Sequence, residues 1–124
     1  MISLYLVVIM LNGPVLSVDA QTAPMHKMSV SWYALDGKTM ANGEIFHSSD
    51  LTLAAHKHYP FGTKLRVLNP KNGRSLVVEV TDRGPFIKGR DLDVSESAAE
   101  WLGIKDKGVA TLDVIVISNK ALSA

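Results

Sequence analysis

Hydrophobic and polar positions alternate cleanly at Lys64–Asn69 (KLRVLN), where Leu65 and Val67 fall on one side and Lys64 and Arg66 on the other. A period of two is the signature of a half-buried strand. Pro70-Lys71-Asn72-Gly73 follows as a hairpin turn, and Arg74–Thr81 returns as its partner. Val30–Ala34 (VSWYA) is rich in β-favouring residues and predicts the first strand. Leu51–His56 (LTLAAH) predicts another, with a helical turn as the competing reading, since Leu and Ala also favour helix. Asp91–Val94 is short and extended, and Val109–Ser118 (VATLDVIVIS) ends apolar on both parities, as a strand buried on both sides would. Ser95 suits a helix N-cap and Gly103 a C′ position, so Ser97–Leu102 predicts a helix with Trp101 on its core side. Short strands punctuated by Gly and Pro, with one short helix, predict a small closed β-barrel, or alternatively a sandwich. Closure would leave strands as apolar as Leu76–Val80 without a sticky edge.

The ends of the chain read differently. Met1–Leu11 is apolar except for Ser3 and is broken by Asn12-Gly13-Pro14, too short for the ~20 residues of a bilayer span. With small or apolar residues at Val18 and Ala20, residues 1–20 are expected to be a secretory signal peptide, despite lacking a basic residue. Residues 21–29 are expected to form a disordered lead-in, 30–118 one domain, and 119–124 a tail. The chain has 124 residues with 13 Lys and Arg against 12 Asp and Glu; removing the leader removes Asp19 and leaves 13 against 11, a net +2. That is too mild for a nucleic-acid binder, and none is expected as a partner. The chain has no cysteine, which excludes disulfides, a thiolate nucleophile and lipid attachment through Cys. No stable membrane anchor is expected after cleavage of the leader, and the protein is expected to be monomeric.

Chemistry concentrates in three places. The first is Val78–Arg90 (VEVTDRGPFIKGR), where a strand becomes a turn. Leu76, Val78, Val80 and Asp82 share one parity, so Asp82 is expected to leave the strand on the side that the apolar residues bury. Partial desolvation there favours a protonated carboxyl group, which a general acid needs. The bland alternative is a turn carboxylate pairing with Arg83. The second is Asn42-Gly43-Glu44, which presents an acid from a loop; the third is His56-Lys57-His58. In an extended stretch His56 and His58 share a face, a spacing that can ligate a metal with His47 or Glu44 as third ligand, but no acidic cluster supports it and no metal or other cofactor is expected. Trp32 and Tyr33 are adjacent, so one should face the core and the other outward, where it could stack on a sugar ring. Asp91 and Asp93 form a further acidic pair two residues apart, and Asp93 reads as a turn or cap residue.

These motifs line up in one order: SWYALDGKTMANGEIF, then LTLAAHKHYPFGTKLRVLN through DRGPFIKGRDLDVSESAAEWLGI, then GVATLDVIVI. From about Val30 to Ile117 the chain resembles the RlpA (rare lipoprotein A) family, most specifically in ANGE, AAHK, PFGT and DRGPF followed by GRDLDVS. The resemblance implies an all-β fold, a six-stranded double-psi β-barrel with one or two short helices, shared with expansins. It implies a lytic transglycosylase of the periplasm or cell envelope of a bacterium, acting in cell wall organisation on peptidoglycan strands stripped of their peptides. Such an enzyme cleaves MurNAc–GlcNAc β-1,4 bonds and leaves 1,6-anhydro ends. By the same resemblance Asp82 would be the acid/base, with Glu44 and His56 beside it, and Tyr33, Trp32, Asn42, Arg83 and Phe86 would contact substrate. Unlike its lipoprotein relatives the chain has no Cys, and septal targeting by a SPOR domain is not carried over from the resemblance. A non-catalytic, expansin-like glycan-binding or wall-loosening module is the alternative function.

Overall fold

The computed structural model describes residues 24–118. The expected leader and tail lie outside this range. Six strands and one helix occur among the described residues: β1 (Met25–Tyr33), β2 (Leu53–His56), β3 (Lys64–Leu68), β4 (Ser75–Asp82), β5 (Leu92–Ser95), α1 (Glu96–Leu102) and β6 (Val109–Ser118). They close into a barrel in the order β1-β5-β2-β4-β3-β6. Two pairs are parallel, β1 with β5 and β2 with β4; the remaining pairings are antiparallel. The expectation of six strands and a short helix holds, and every strand finds two partners, so no long edge is left open.

The interior is filled by one residue parity from each strand. Val30 lies level with Leu92, Ala54 with Val94 and with Val80, Leu65 with Val78, and Val67 with Val114. All of these are fully buried. Branched aliphatics dominate, as a narrow barrel requires, because small β-branched side chains fill the taper without leaving voids.

Three expectations are corrected. Residues 25–29 do not lie in an irregular lead-in but form the first half of β1, antiparallel to β6 from Met25↔Ile115 to Ser31↔Val109. Lys27 faces Asp113 there and its Nζ lies 2.8 Å from Asp113 Oδ1. Its pairing partner is more than eighty residues away, so local pattern gives no sign of it. Second, the end of β6 is not buried on both sides: Ile117 is exposed, because β6 there pairs only with the start of β3. Third, Trp101 is not core but half-exposed, with Nε1–H donating to Ser75 O at 3.1 Å and Arg74 lying 4.7 Å over its ring.

The helix is held at both ends as the caps predict. Ser95 accepts from Ala98 N at 3.2 Å, and Gly103 takes the left-handed conformation with φ 77°. The β3–β4 hairpin completes the C-terminus: Asn69 Nδ2 and Asn72 Nδ2 both donate to Leu102 O, at 2.8 and 3.0 Å. Buried Asn69 also accepts from Lys71 N at 3.0 Å, so one side chain ties turn and helix together. Replacing a hydrogen-bonded buried group by a methyl leaves its partner unsatisfied, at about 1–3 kcal/mol. Asn69→Ala is therefore expected to lower unfolding free energy by roughly that amount, read from urea denaturation midpoints with an unchanged slope.

Candidate functional site

The bond network around Asp82 begins with an irregularity in β4. Up to Val80 the strand runs in step with β2, but the register shifts between Ala54 and Ala55, so that Ala55 lies level with Asp82 and Thr81 is the extra residue. A single inserted residue reverses the face on which the following side chains emerge. Asp82 accordingly leaves on the outer face with Ala55, not on the side that Val78 and Val80 bury. The parity expected from sequence is corrected by this bulge. Thr81 is itself buried, its hydroxyl pointing at Met40 Sδ (3.3 Å) and Ala54 O (3.4 Å).

On that outer face the strands present one transverse row. Ser31 on β1 lies level with Asp93 on β5, Asp93 with Ala55 on β2, and Ala55 with Asp82 on β4. Tyr33, two residues beyond Ser31, leans over the row and donates its hydroxyl to Asp82 Oδ2 at 2.9 Å. Burial, then the negative charges of Asp82 and Asp93, push the Tyr33 phenol well above its ordinary value, so it stays a donor. Ser31 donates its hydroxyl to Asp93 Oδ1. Burial raises the Asp93 carboxyl above its ordinary value, against the opposing pull of the Ser31 hydroxyl and Arg90.

Over the row sits a small hairpin, residues 37–46, closed by the Thr39↔Ile45 bridge and by Met40 N–H to Glu44 O (2.7 Å) and Phe46 N–H to Lys38 O (2.8 Å). A second apolar cluster fastens it. Met40, Phe46 and Leu53 are buried together against Tyr33, whose ring centroid lies 4.4 Å from that of Phe46. Asp36 adds a latch, accepting from Ser48 N (2.6 Å) and Ser48 Oγ (2.7 Å), and those bonds hold its carboxyl below the usual value. The hairpin then meets the bulge: Asn42 N–H donates to Thr81 O (3.2 Å), and Ala41 N–H to Asp82 Oδ1 (2.9 Å). Arg83 N–H donates to the same oxygen at 2.9 Å. Asp82 thus takes three hydrogen-bond donors, which fix the orientation of its carboxyl group.

The other residues expected from sequence are distributed around this centre. Glu44 is exposed at the hairpin tip, three residues from the amide that binds Asp82; Asn42 Oδ1 shapes that tip by accepting from Glu44 N at 2.9 Å. Gly43, with φ 94°, makes the turn between them possible. His56 follows Ala55 on β2, and its backbone is bound to the loop after β4: Arg83 Nη1 donates to His56 O (3.1 Å) and Tyr59 O (2.9 Å). The imidazole stacks on Tyr59 with centroids 3.8 Å apart, and makes no hydrogen bond to Asp82 among the described residues. Arg83 is a clamp, its guanidinium also lying 4.1 Å over Phe61. Phe86 is 79% exposed on the loop after β4. Trp32 is the aromatic that turns away: it packs on the barrel core and donates Nε1–H to Lys105 O at 3.1 Å. Tyr33 is the outward one, but Phe46 covers its ring, so it serves Asp82 instead of offering a stacking face. The site therefore brings together Asp82, Tyr33, Asn42 and the Glu44 hairpin, holds His56 beside them through backbone, and leaves Trp32 outside. It adds Asp93, which sequence reading treats as a turn residue.

The His56 ring has a defined tautomer. Nδ1 accepts from both His58 N and Tyr59 N at 3.0 Å, which puts the proton on Nε2. Burial, reinforced by His58 and Arg83, pushes the imidazole down to about 4. The neutral form is thus favoured by folding, and this contribution to stability is complete above pH ~6.5 and is lost as the pH falls toward 4. Nitrogen-15 NMR is expected to show the His56 ring neutral and protonated on Nε2 throughout the range from pH 7 to about 5; a cationic ring at pH 6 would contradict the geometry.

Comparison with known proteins gives a consistent result. A family model described as "Lytic transglycolase" matches residues 25–114. A "Probable endolytic peptidoglycan transglycosylase RlpA" of Synechocystis is 45% identical over 89 residues, covering 70% of this chain and 27% of that protein. A protein of the same description from Nostoc is 48% identical over 81 residues, 65% of this chain and 22% of its own. The "Endolytic peptidoglycan transglycosylase RlpA" of Vibrio cholerae is 42% identical over 90 residues, 71% of this chain and 34% of its own. The chain spans about a third or less of the length of these relatives. Among solved structures, Streptomyces papain inhibitor matches with a TM-score of 0.62 at 22% identity over 74% of this chain and 93% of that one. Apo expansin of Clavibacter michiganensis matches with a TM-score of 0.60 at 24% identity, over 77% of this chain and 52% of that one. Both are likenesses of fold.

Proposed function

Since the chain belongs to the lytic transglycolase family of double-psi β-barrels, we propose that it is an endolytic peptidoglycan transglycosylase working in the bacterial envelope. The names of its relatives support that substrate class. The observation that carries the reading to this chain is Asp82, a half-buried carboxylate on the outer face of the barrel with its orientation fixed by Tyr33, Ala41 and Arg83. Orientation of this kind lets a carboxylate act without reorganising at the moment of reaction.

Breaking a β-1,4 glycosidic bond needs a proton on the departing oxygen while positive charge builds on C1 of the MurNAc ring and its ring oxygen. In a lytic transglycosylase the C6 hydroxyl of the same sugar then bonds to C1 and gives up its proton. Asp82 acts in this proton transfer, and its charge stabilises the cation that develops. Glu44, exposed at the tip of the hairpin that binds Asp82, adds negative charge beside the cation. His56, neutral, offers Nε2–H to a sugar oxygen and takes no part as a base. Phe86 supplies an exposed ring face for a sugar.

The test uses peptide-free glycan strands and mass spectrometry of the products. The protein is expected to release fragments ending in 1,6-anhydro-MurNAc, and Asp82→Asn to release them about 10²–10⁴-fold more slowly while unfolding at a similar temperature. Reducing ends in place of anhydro ends would identify a hydrolase. Glycan retained without any product would identify an expansin-like binder.

A further inference from the structure

Beyond the C-terminus of α1, a cavity of about 250 Å3 lies where residues 103–112 meet the β3–β4 turn. Buried Ile104 and Leu112 and half-buried Ala110 line it, together with exposed Thr111, Lys71 and Lys107. None of these residues takes part in the hydrogen bonds around Asp82. The two lysines are the only charged residues of the lining. Neither forms an ion pair among the described residues, whereas Lys27, Lys64 and Lys105 each do. The acids closest in sequence are engaged or placed elsewhere. Asp113 holds Lys27, and Asp106 lines a separate hollow with Glu100 and Lys105.

A helix C-terminus ordinarily repels an anion through its free carbonyl groups. Here those groups are used. Leu102 O accepts from Asn69 and Asn72, and Trp101 O from Arg74. Ala99 O accepts from Ile104 N, Glu100 O from Gly103 N, and Ile104 O from Gly108 N. Two cations therefore share the cavity with apolar side chains and with no counter-charge of the protein's own.

The geometry points to a second binding site, which takes a free carboxylate borne on a short apolar stem by a sugar. This rests on the transglycosylase reading above and deepens it. A peptide-free glycan strand carries such a group on every MurNAc, as a lactyl ether. Its methyl group matches Ile104 and Leu112, and its carboxylate matches Lys71 and Lys107. Attachment of a stem peptide turns that carboxylate into an amide, which removes the charge and adds a chain. A cavity of about 250 Å3 falls short of the ~300–1,000 Å3 of pockets for larger ligands and suits one such side arm. The site thus separates stripped strands from those that keep their peptides, by contacts outside the catalytic residues. Exposed ion pairs contribute little singly, so one sugar binds weakly here. A strand held at this cavity and at Asp82 together gains from the linkage.

The experiment titrates the nitrogen-15-labelled protein with N-acetylmuramic acid and follows backbone amides by NMR. Saturable shifts are expected at Lys71, Gly103, Lys107 and Thr111, with an affinity that falls as sodium chloride is added. The methylamide of N-acetylmuramic acid, which stands for the peptide-linked sugar, and neutral N-acetylglucosamine should each bind there about tenfold more weakly or worse. The double variant Lys71→Gln/Lys107→Gln should lose about the same factor for N-acetylmuramic acid while unfolding at the normal temperature. Equal binding of the acid and its methylamide at this cavity would overturn the assignment. So would inorganic phosphate binding as tightly as the sugar acid, an unchanged affinity in the double variant, or shifts that spare these four amides. The same protein is assayed on peptide-free strands. Absence of anhydro product with N-acetylmuramic acid still bound at this cavity would overturn the transglycosylase reading and leave the carboxylate site standing.

Discussion

One extra residue in β4 decides where this protein keeps its acid. Had β4 run in register with β2 to its end, the parity of Leu76, Val78 and Val80 would have carried Asp82 into the barrel. There, a carboxylate without partners would cost several kcal/mol after relaxation, or would stay neutral and inert. The shift at Ala54/Ala55 spends Thr81 as the interior residue and turns Asp82 outward, level with Ala55. Everything that orients the acid follows from this placement. Tyr33 is on the same outer face, and the hairpin of residues 37–46 can reach Asp82 only because the acid emerges beneath it.

The satellite core of Met40, Phe46 and Leu53 then has a purpose beyond packing. It is too small to add much to global stability, yet it fixes a loop whose amides would otherwise be solvated and mobile. The Tyr33 ring stacks on Phe46 while its hydroxyl binds Asp82, so the same side chain joins the apolar anchor to the polar site. Loosening of the cluster and misplacement of the acid are therefore one event. The hydrogen bonds from Ala41 and Arg83 come from backbone, which no side-chain rotamer can withdraw.

Much of the barrel was legible in the sequence because its rules are local. Alternation at Leu65 and Val67, the Pro70–Gly73 turn, the Ser95 cap and the Gly103 terminus each depend on a few neighbouring residues. What escaped depended on partners far along the chain. Met25–Ser29 is a strand only because β6 lies beside it, and its exposed Met25 and Lys27 hide the inward pair of Met28 and Val30. The bulge left no mark, since Thr81-Asp82 would suit a regular strand end equally well. Resemblance to a family drew Glu44, His56 and Asp82 together, and structure tied the Glu44 hairpin to Asp82 by hydrogen bonds and His56 to its neighbour by backbone. Asp93 reads as a turn or cap residue in sequence for the same reason: its place level with Ser31 and Ala55 comes from β5 lying between β1 and β2, an order that no window of sequence contains.

That strand order also sets what the outer face of a barrel with a full core can offer the proposed glycan substrate. Closure consumes most of the backbone donors and acceptors of the described strands, so recognition on the outer face falls mainly to side chains. Across β1, β5, β2 and β4 that face offers hydroxyl, carboxyl, methyl, carboxyl in one line. The methyl matters as much as the acids. Ala55 is only 2% exposed, so a larger side chain there would have to displace what covers it. Ser31 and Ala55 are buried within that row, so the half-buried acids are its accessible members.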